Sequence, residues 1–169
     1  MSAPIFLAID IGLTGAIARL DADKRLINVE DLPVLADGPA TRRTINGPLL
    51  AELVFKSHAI RAFVETVGPR PGEGVVGAFA FGRSRGIIEG VLAAADVPIV
   101  WIAPAQWKRA VGIPPGQNGA KDAARSKAIA IWPSEAAHFT RVKDHGRAEA
   151  CLIGVAGLLL EARREEGAA

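Results

Sequence analysis

The sequence predicts an α/β fold: a mixed five-stranded sheet, made of a three-stranded antiparallel meander plus parallel strands, flanked by helices. Three observations predict it. Short apolar runs bounded by turns open the chain, segments with apolar residues at steps of three and four follow, and the order reads β-β-β-α-β-α-β and then helices. The 169 residues, half of them apolar and 22% charged, suit a single domain over 1–169, with a polar C-terminal tail over about 161–169.

Each element has a local reason. Pro4 to Asp10 is a nearly continuous apolar run ending before Gly12, as a central strand does. Thr14 to Leu20 and Arg25 to Val34 flank the polar turn Asp21-Ala22-Asp23-Lys24 and complete the meander. Asn46-Gly47-Pro48 is an N-cap and Pro start for a helix over Leu49 to Ser57. Ile60 to Glu65 is the fourth strand. A Gly- and Pro-rich loop, Val67 to Gly74, leads into a helix from about Val75 to Ala94, and Ile99 to Ile102 is the fifth strand. A short helix carries Trp107 and Lys108, the linker Ile113 to Ala120 reads as mobile, and a helix from Lys121 to about Trp132 stops at Pro133. The last helix begins near Asp144, and its stripe of Ala148, Cys151, Leu152, Val155, Leu159 and Ala162 must face the core.

Composition excludes several classes. A single cysteine, Cys151, rules out an internal disulfide and a Cys-based zinc site, and points to a buried thiol in a reducing cytoplasm. No apolar stretch reaches the length of a membrane span, and the opening residues lack the basic start of a signal peptide. Net charge is only +2, but residues 80–150 hold ten Lys and Arg against six acids, a regional excess of four.

Acids and an imidazole recur where core elements end. Asp10 closes the first strand, Glu65 the fourth, and Asp144, His145 and Glu149 sit at the start of the last helix. If the first and fourth strands pair in parallel, Asp10 and Glu65 leave the sheet at one edge. His145 and Glu149 share a helix face, whereas Asp144 turns inward only as a cap or pre-helical residue. Carboxylates held together repel, and hard divalent cations are the usual compensation, Mg²⁺ or Mn²⁺ best. Two such ions about 4 Å apart serve phosphodiester hydrolysis. Taken singly, each acid also suits a turn, a surface or a helix cap.

The strings LAIDIGLTGAIA (Leu7 to Ala18), FVE (Phe63 to Glu65), PAQWKRAVG (Pro104 to Gly112), KDAARSKAIAIWP (Lys121 to Pro133) and KDHGRAEACLIGVAGLLL (Lys143 to Leu160), in this order, cover most of the chain. Together they resemble the RuvC-type Holliday junction resolvases of the RNase H-like superfamily, particularly the phage-borne branch. The resemblance implies a homodimeric, magnesium-dependent endonuclease that cuts four-way junctions symmetrically, in recombination and repair of DNA in a bacterial or phage-infected cell. Asp10 and Glu65 match its first two acidic ligands and Glu149 the last. The remaining ligand is Asp144 or His145, five and four residues before Glu149 where the family more often shows three. Ile11 stands where Pro is common, and Glu149 where Asp is common. The family's dimer helix maps to Gly77, Ala80, Phe81 and Ser84, for which core packing is the competing reading.

Arg83, Arg85, Lys108, Lys121, Arg125 and Arg147 are the candidates for phosphate contact, with Lys108 and Lys121 matching basic positions of the family; Arg163 and Arg164 read as solvated surface. Trp107 reads as core, with base stacking as the alternative. Two rival functions compete. The run Asp10 to Gly15 also resembles the first phosphate loop of actin-like and sugar-kinase ATPases, which need a second lobe, and an inactive module would hold branched DNA without cutting it.

Overall fold

The computed structural model describes residues 3–38, 42–66, 68, 72, 74–114 and 120–168. The chain opens with β1 (Ile5–Asp10), β2 (Ala16–Asp21) and β3 (Leu26–Asp31), then β4 (Val34–Ala36) and β5 (Arg43–Ile45). Next come α1 (Gly47–Ser57), β6 (Arg61–Glu65), α2 (Val75–Ala94), β7 (Ile99–Ile102), α3 (Pro104–Ala110), α4 (Ala120–Ile131) and α5 (His145–Ala168). Two 3-10 segments, Pro133–Phe139 and Val142–Asp144, join α4 to α5.

The main sheet has the order β3-β2-β1-β6-β7. β1 and β2 pair antiparallel, as do β2 and β3, while β1 with β6 and β6 with β7 are parallel. This is the mixed five-stranded sheet expected from the sequence. Asn46 caps α1 as anticipated, its side chain accepting from Leu49 N–H at 3.2 Å.

β1 is apolar along its length because both faces are covered. Phe6 and Ala8 join Phe63, Trp107 and the buried side of α5 in one core, while Leu7 and Ile9 join Ala62, Val64 and residues of α1 and α2 in the other. The alternation also fixes the strand ends. Asp10 continues the Phe6 and Ala8 side and Glu65 the Phe63 side, so both carboxylates belong to the face that α5 covers.

Two expectations are corrected. The third strand ends at Asp31, not Val34, because Pro33 lacks the N–H a ladder needs; Val34–Ala36 instead pairs antiparallel with Arg43–Ile45 in a separate two-stranded sheet. Strands of three residues are too short to register as a sequence pattern. The α5 stripe is too narrow: Ala150, Ile153 and Ala156 are fully buried beside Cys151 and Leu152, since α3 and α4 pack on the side away from the sheet, whereas Ala162 is exposed. The polar stretch after Leu160 continues as helix to Ala168, with Glu161 paired to Arg61 at 2.5 Å. Of the loop Val67 to Gly74, residues 67, 69–71 and 73 lie outside the described residues, as do 115–119 of the linker read as mobile. Among the described residues, no helix is long and apolar enough to cross a membrane.

Candidate active site

The parallel register places Ile9 opposite Val64, one residue before Asp10 and Glu65, so the two acids leave adjacent strands at the same sheet edge. Glu149 arrives from the second turn of α5, and two glycines permit its approach. A Cβ on Gly15 would lie 2.0 Å from the Asp10 carbonyl oxygen, and one on Gly146 would lie 2.3 Å from the Thr14 carbonyl oxygen. A side chain at Gly15 would collide with the turn's own backbone, and one at Gly146 would push the start of α5 away from that turn.

The three carboxylates feel one another. Burial pushes the Asp10 carboxyl well above its ordinary value, the charges of Glu149 and Glu65 push it further, and Lys121 and Lys108 pull it back only in part. Glu149 is raised likewise, by burial first and then by the charge of Glu65, against the opposing charges of His145, Lys108 and Lys121. Among the described residues, no three His, Cys, Asp or Glu side chains are drawn into a ready-made metal cage. The acids are coupled by charge.

Asp144 and His145 separate clearly. Asp144 is 1% exposed and accepts the Arg141 backbone N–H at 2.9 Å and Arg141 guanidinium N–H groups at 2.8 to 3.1 Å. Burial pushes its carboxyl up, but the Arg141 hydrogen bonds and charge, with Arg147 behind them, bring it below the ordinary carboxylate value. It is the pre-helical cap allowed for in the sequence, committed to Arg141. His145 instead bears on Glu149 through its charge, and its Nδ1 lies 3.3 Å from the Val142 carbonyl oxygen.

The basic candidates divide in the same way. Lys108 and Lys121 are the two whose charges reach Asp10 and Glu149. Arg147 is bound to Asp31 at 2.6 and 3.0 Å, and Arg125 to Asp122 at 2.5 Å and to the carbonyls of Phe139 and Thr140. Both arginines fasten the fold. On α2, Arg83 pairs with Asp37, and Arg85 pairs with Glu89 at 2.8 Å and lies over the Trp101 ring at 4.4 Å.

Trp107 is 1% exposed, which excludes the base-stacking role, and its Nε1–H donates to Glu65 Oε1 at 2.7 Å. Sequence reasoning missed this bond and missed Arg141 and Asp31. The three-residue spacing of Arg141 and Asp144 was a usable capping signal, whereas nothing local marks the long-range pairs. Of the dimer candidates, Gly77 and Ala80 are exposed, but Phe81 packs on the α1–α2 core and Ser84 is buried, its hydroxyl donating to the Ala80 carbonyl oxygen. Those two take the core-packing alternative.

No family model and no curated protein matches the chain in sequence. In structure it is similar to Thermus thermophilus RuvC. The RuvC chain solved in complex with a Holliday junction substrate superposes with a TM-score of 0.69 at 17% identity, over 95% of this chain and 96% of that one. A second T. thermophilus RuvC structure gives 0.59 at 15% identity, over 94% and 96%. The chain therefore has the RuvC-like form of the RNase H-like fold.

Proposed function

We propose that this protein is a structure-selective endodeoxyribonuclease that resolves four-way junctions and other branched DNA by metal-dependent phosphodiester hydrolysis. The observation that carries the reading is the mutual charge coupling of Asp10, Glu65 and Glu149 on the α5 side of the sheet, with Lys108 and Lys121 facing them. The match to a RuvC bound to its junction supports the choice of substrate.

The donor set fits Mg²⁺, with Mn²⁺ as substitute and two ions per site: three carboxylates supply hard oxygens, and the raised proton affinity of Asp10 and Glu149 marks a site short of positive charge. Asp10, Glu65, Glu149 and His145 would hold the ions, and Asp144 would not. A His145 Nδ1–H donated to the Val142 carbonyl leaves Nε2 as the lone-pair donor, the arrangement of metal-binding histidines. When bound, the ions supply Lewis acidity to the scissile phosphate and ease ionisation of the attacking water. The chain's own work is to orient: β1 and β6 fix two carboxylates, Asp144 and Arg141 fix the start of α5, and Lys108 and Lys121 offset phosphate charge.

Paired cuts in a symmetric junction require two such sites, hence a homodimer. The first turns of α2 support this, since Val75, Val76 and Phe79 are exposed at 85%, 73% and 73% beside Gly77 and Ala80.

The test is a labelled four-way junction incubated with the folded protein across Mg²⁺ and Mn²⁺ concentrations. Symmetrically placed nicks, absent from linear duplex, are expected. A junction bound yet intact at every metal concentration would replace the reading with a DNA-holding module, and ATP hydrolysis without DNA would replace it with a kinase-like one.

A further inference from the structure

Trp107 commits its single polar atom in an unusual direction. A buried indole needs a partner for its N–H, and a backbone carbonyl suffices, as when Trp132 Nε1–H donates to the Lys24 carbonyl oxygen at 3.0 Å. Trp107 donates instead to a carboxylate of the acidic cluster. Its other surface is engaged as well, with Lys108 Nζ 5.3 Å from the ring centroid, within cation–π reach. One indole thus touches Glu65 by its edge and Lys108 by its face.

The support under the indole is stiff. β7 pairs Ile102 with Glu65 and leads through Ala103 into α3, where Pro104 occupies the first turn and the Gln106 side chain accepts the Ala103 N–H at 3.0 Å. For packing alone a phenyl ring would serve. The N–H is what distinguishes tryptophan here.

We propose that Trp107 is the positioning residue of the site: it anchors one oxygen of Glu65, leaving the other for a cation, and holds the Lys108 ammonium beside the acids. This rests on the nuclease reading above. Partners of metal-binding side chains act in this way, and losing one typically costs about 10- to 100-fold in metal affinity or activity.

The experiment pairs a spectrum with a kinetic measurement on the full chain. In ¹⁵N-labelled protein, Trp107→Phe identifies the Trp107 indole resonance. Glu65→Gln is expected to shift that resonance, and Mg²⁺ without DNA is expected to shift it in the wild type, while the Trp132 resonance stays still. Trp107→Phe is expected to raise the Mg²⁺ concentration for half-maximal junction cleavage about tenfold, in line with lost outer-shell support, with junction binding retained. The protein has three tryptophans, so Trp101→Phe and Trp132→Phe identify the Trp107 resonance by elimination even if Trp107→Phe fails to fold, and a Trp107 resonance indifferent to both Glu65→Gln and Mg²⁺ would overturn the proposal. An unchanged Mg²⁺ requirement in a folded Trp107→Phe protein would overturn it too. A wild type that never cleaves would instead overturn the nuclease reading, and the indole shifts would still decide the Trp107–Glu65 contact.

Discussion

Gly146 and Thr14 touch backbone to backbone: a Cβ on Gly146 would stand 2.3 Å from the Thr14 carbonyl oxygen and 3.3 Å from the Gly15 Cα. The first turn of α5 thereby rests on the turn that follows Asp10. Gly146→Ala forces these segments apart, and overpacking of this kind costs about 1–3 kcal/mol. Chemical denaturation should register that loss, and cleavage should fall more steeply than stability because Glu149 retreats from Asp10. Full activity in a stable Gly146→Ala protein would show that the contact does not set the site.

Removing one charge from the acidic cluster relieves burial and repulsion at once. Asp10→Asn should abolish cleavage, preserve junction binding and stabilise the metal-free protein at neutral pH, with Tm raised by roughly 2–4 °C, the shift that goes with about 1 kcal/mol at this size. The pH dependence follows from the same cause. Because burial and neighbouring acids raise Asp10 and Glu149, the native state holds more protons than the unfolded chain between their ordinary and raised values. Their favourable contribution is complete below the ordinary values and is lost as pH rises through the raised ones. Asp144, lowered by Arg141 against its own burial, runs the opposite way, stabilising above its ordinary value and failing only in stronger acid. Metal-free Tm should therefore climb as pH drops from neutrality toward the ordinary carboxylate range, then decline, and Mg²⁺ should flatten the neutral limb. A metal-free Tm that rises steadily up to neutrality would contradict this account.

Asp144 and His145 are adjacent in sequence and opposite in consequence. Asp144→Asn discards a charged hydrogen-bond acceptor, a loss of about 1.5–3 kcal/mol, and should leave cleavage within a few-fold once the protein is folded. His145→Ala should leave Tm nearly unchanged and lower cleavage at limiting Mg²⁺ by about tenfold or more. The reverse pattern would return Asp144 to the metal site.

Salt titrations of junction binding separate DNA contacts from structural cations. Lys108→Ala and Lys121→Ala should each lower the slope of log affinity against log salt by about one. Arg125→Ala and Arg147→Ala should lower Tm and leave that slope alone, since both guanidinium groups are held by acids of the fold.

Much of this architecture was legible in the residues themselves. The apolar run of β1, the polar turn at Asp21 to Lys24 and the Asn46 cap are local signals that mark the elements and the meander, and Asp10 stands beside Glu65 on the condition, met in the structure, that β1 and β6 pair in parallel. The hairpin of Val34–Ala36 with Arg43–Ile45 was not legible, because three-residue strands have no period to detect. Side-chain commitments were hidden for a different reason. Whether Arg147 meets a phosphate or Asp31, and whether Trp107 meets a base or Glu65, depends on partners supplied by distant segments. The Arg141 cap that engages Asp144 and makes His145 the proposed ligand is one short-range bond, which spacing alone could not distinguish from a ligand's geometry.

The carboxylates come from β1, β6 and α5, and α5 is also what buries Ala8, Leu20 and Phe63. During synthesis, then, Asp10 and Glu65 emerge early, but the strand face that bears them stays uncovered until Glu149 and the residues after it leave the ribosome. Chains cut short before that point keep two acids and have no lid of helix to complete either the core or the cluster. Closing the core and assembling the acidic site thus become one event.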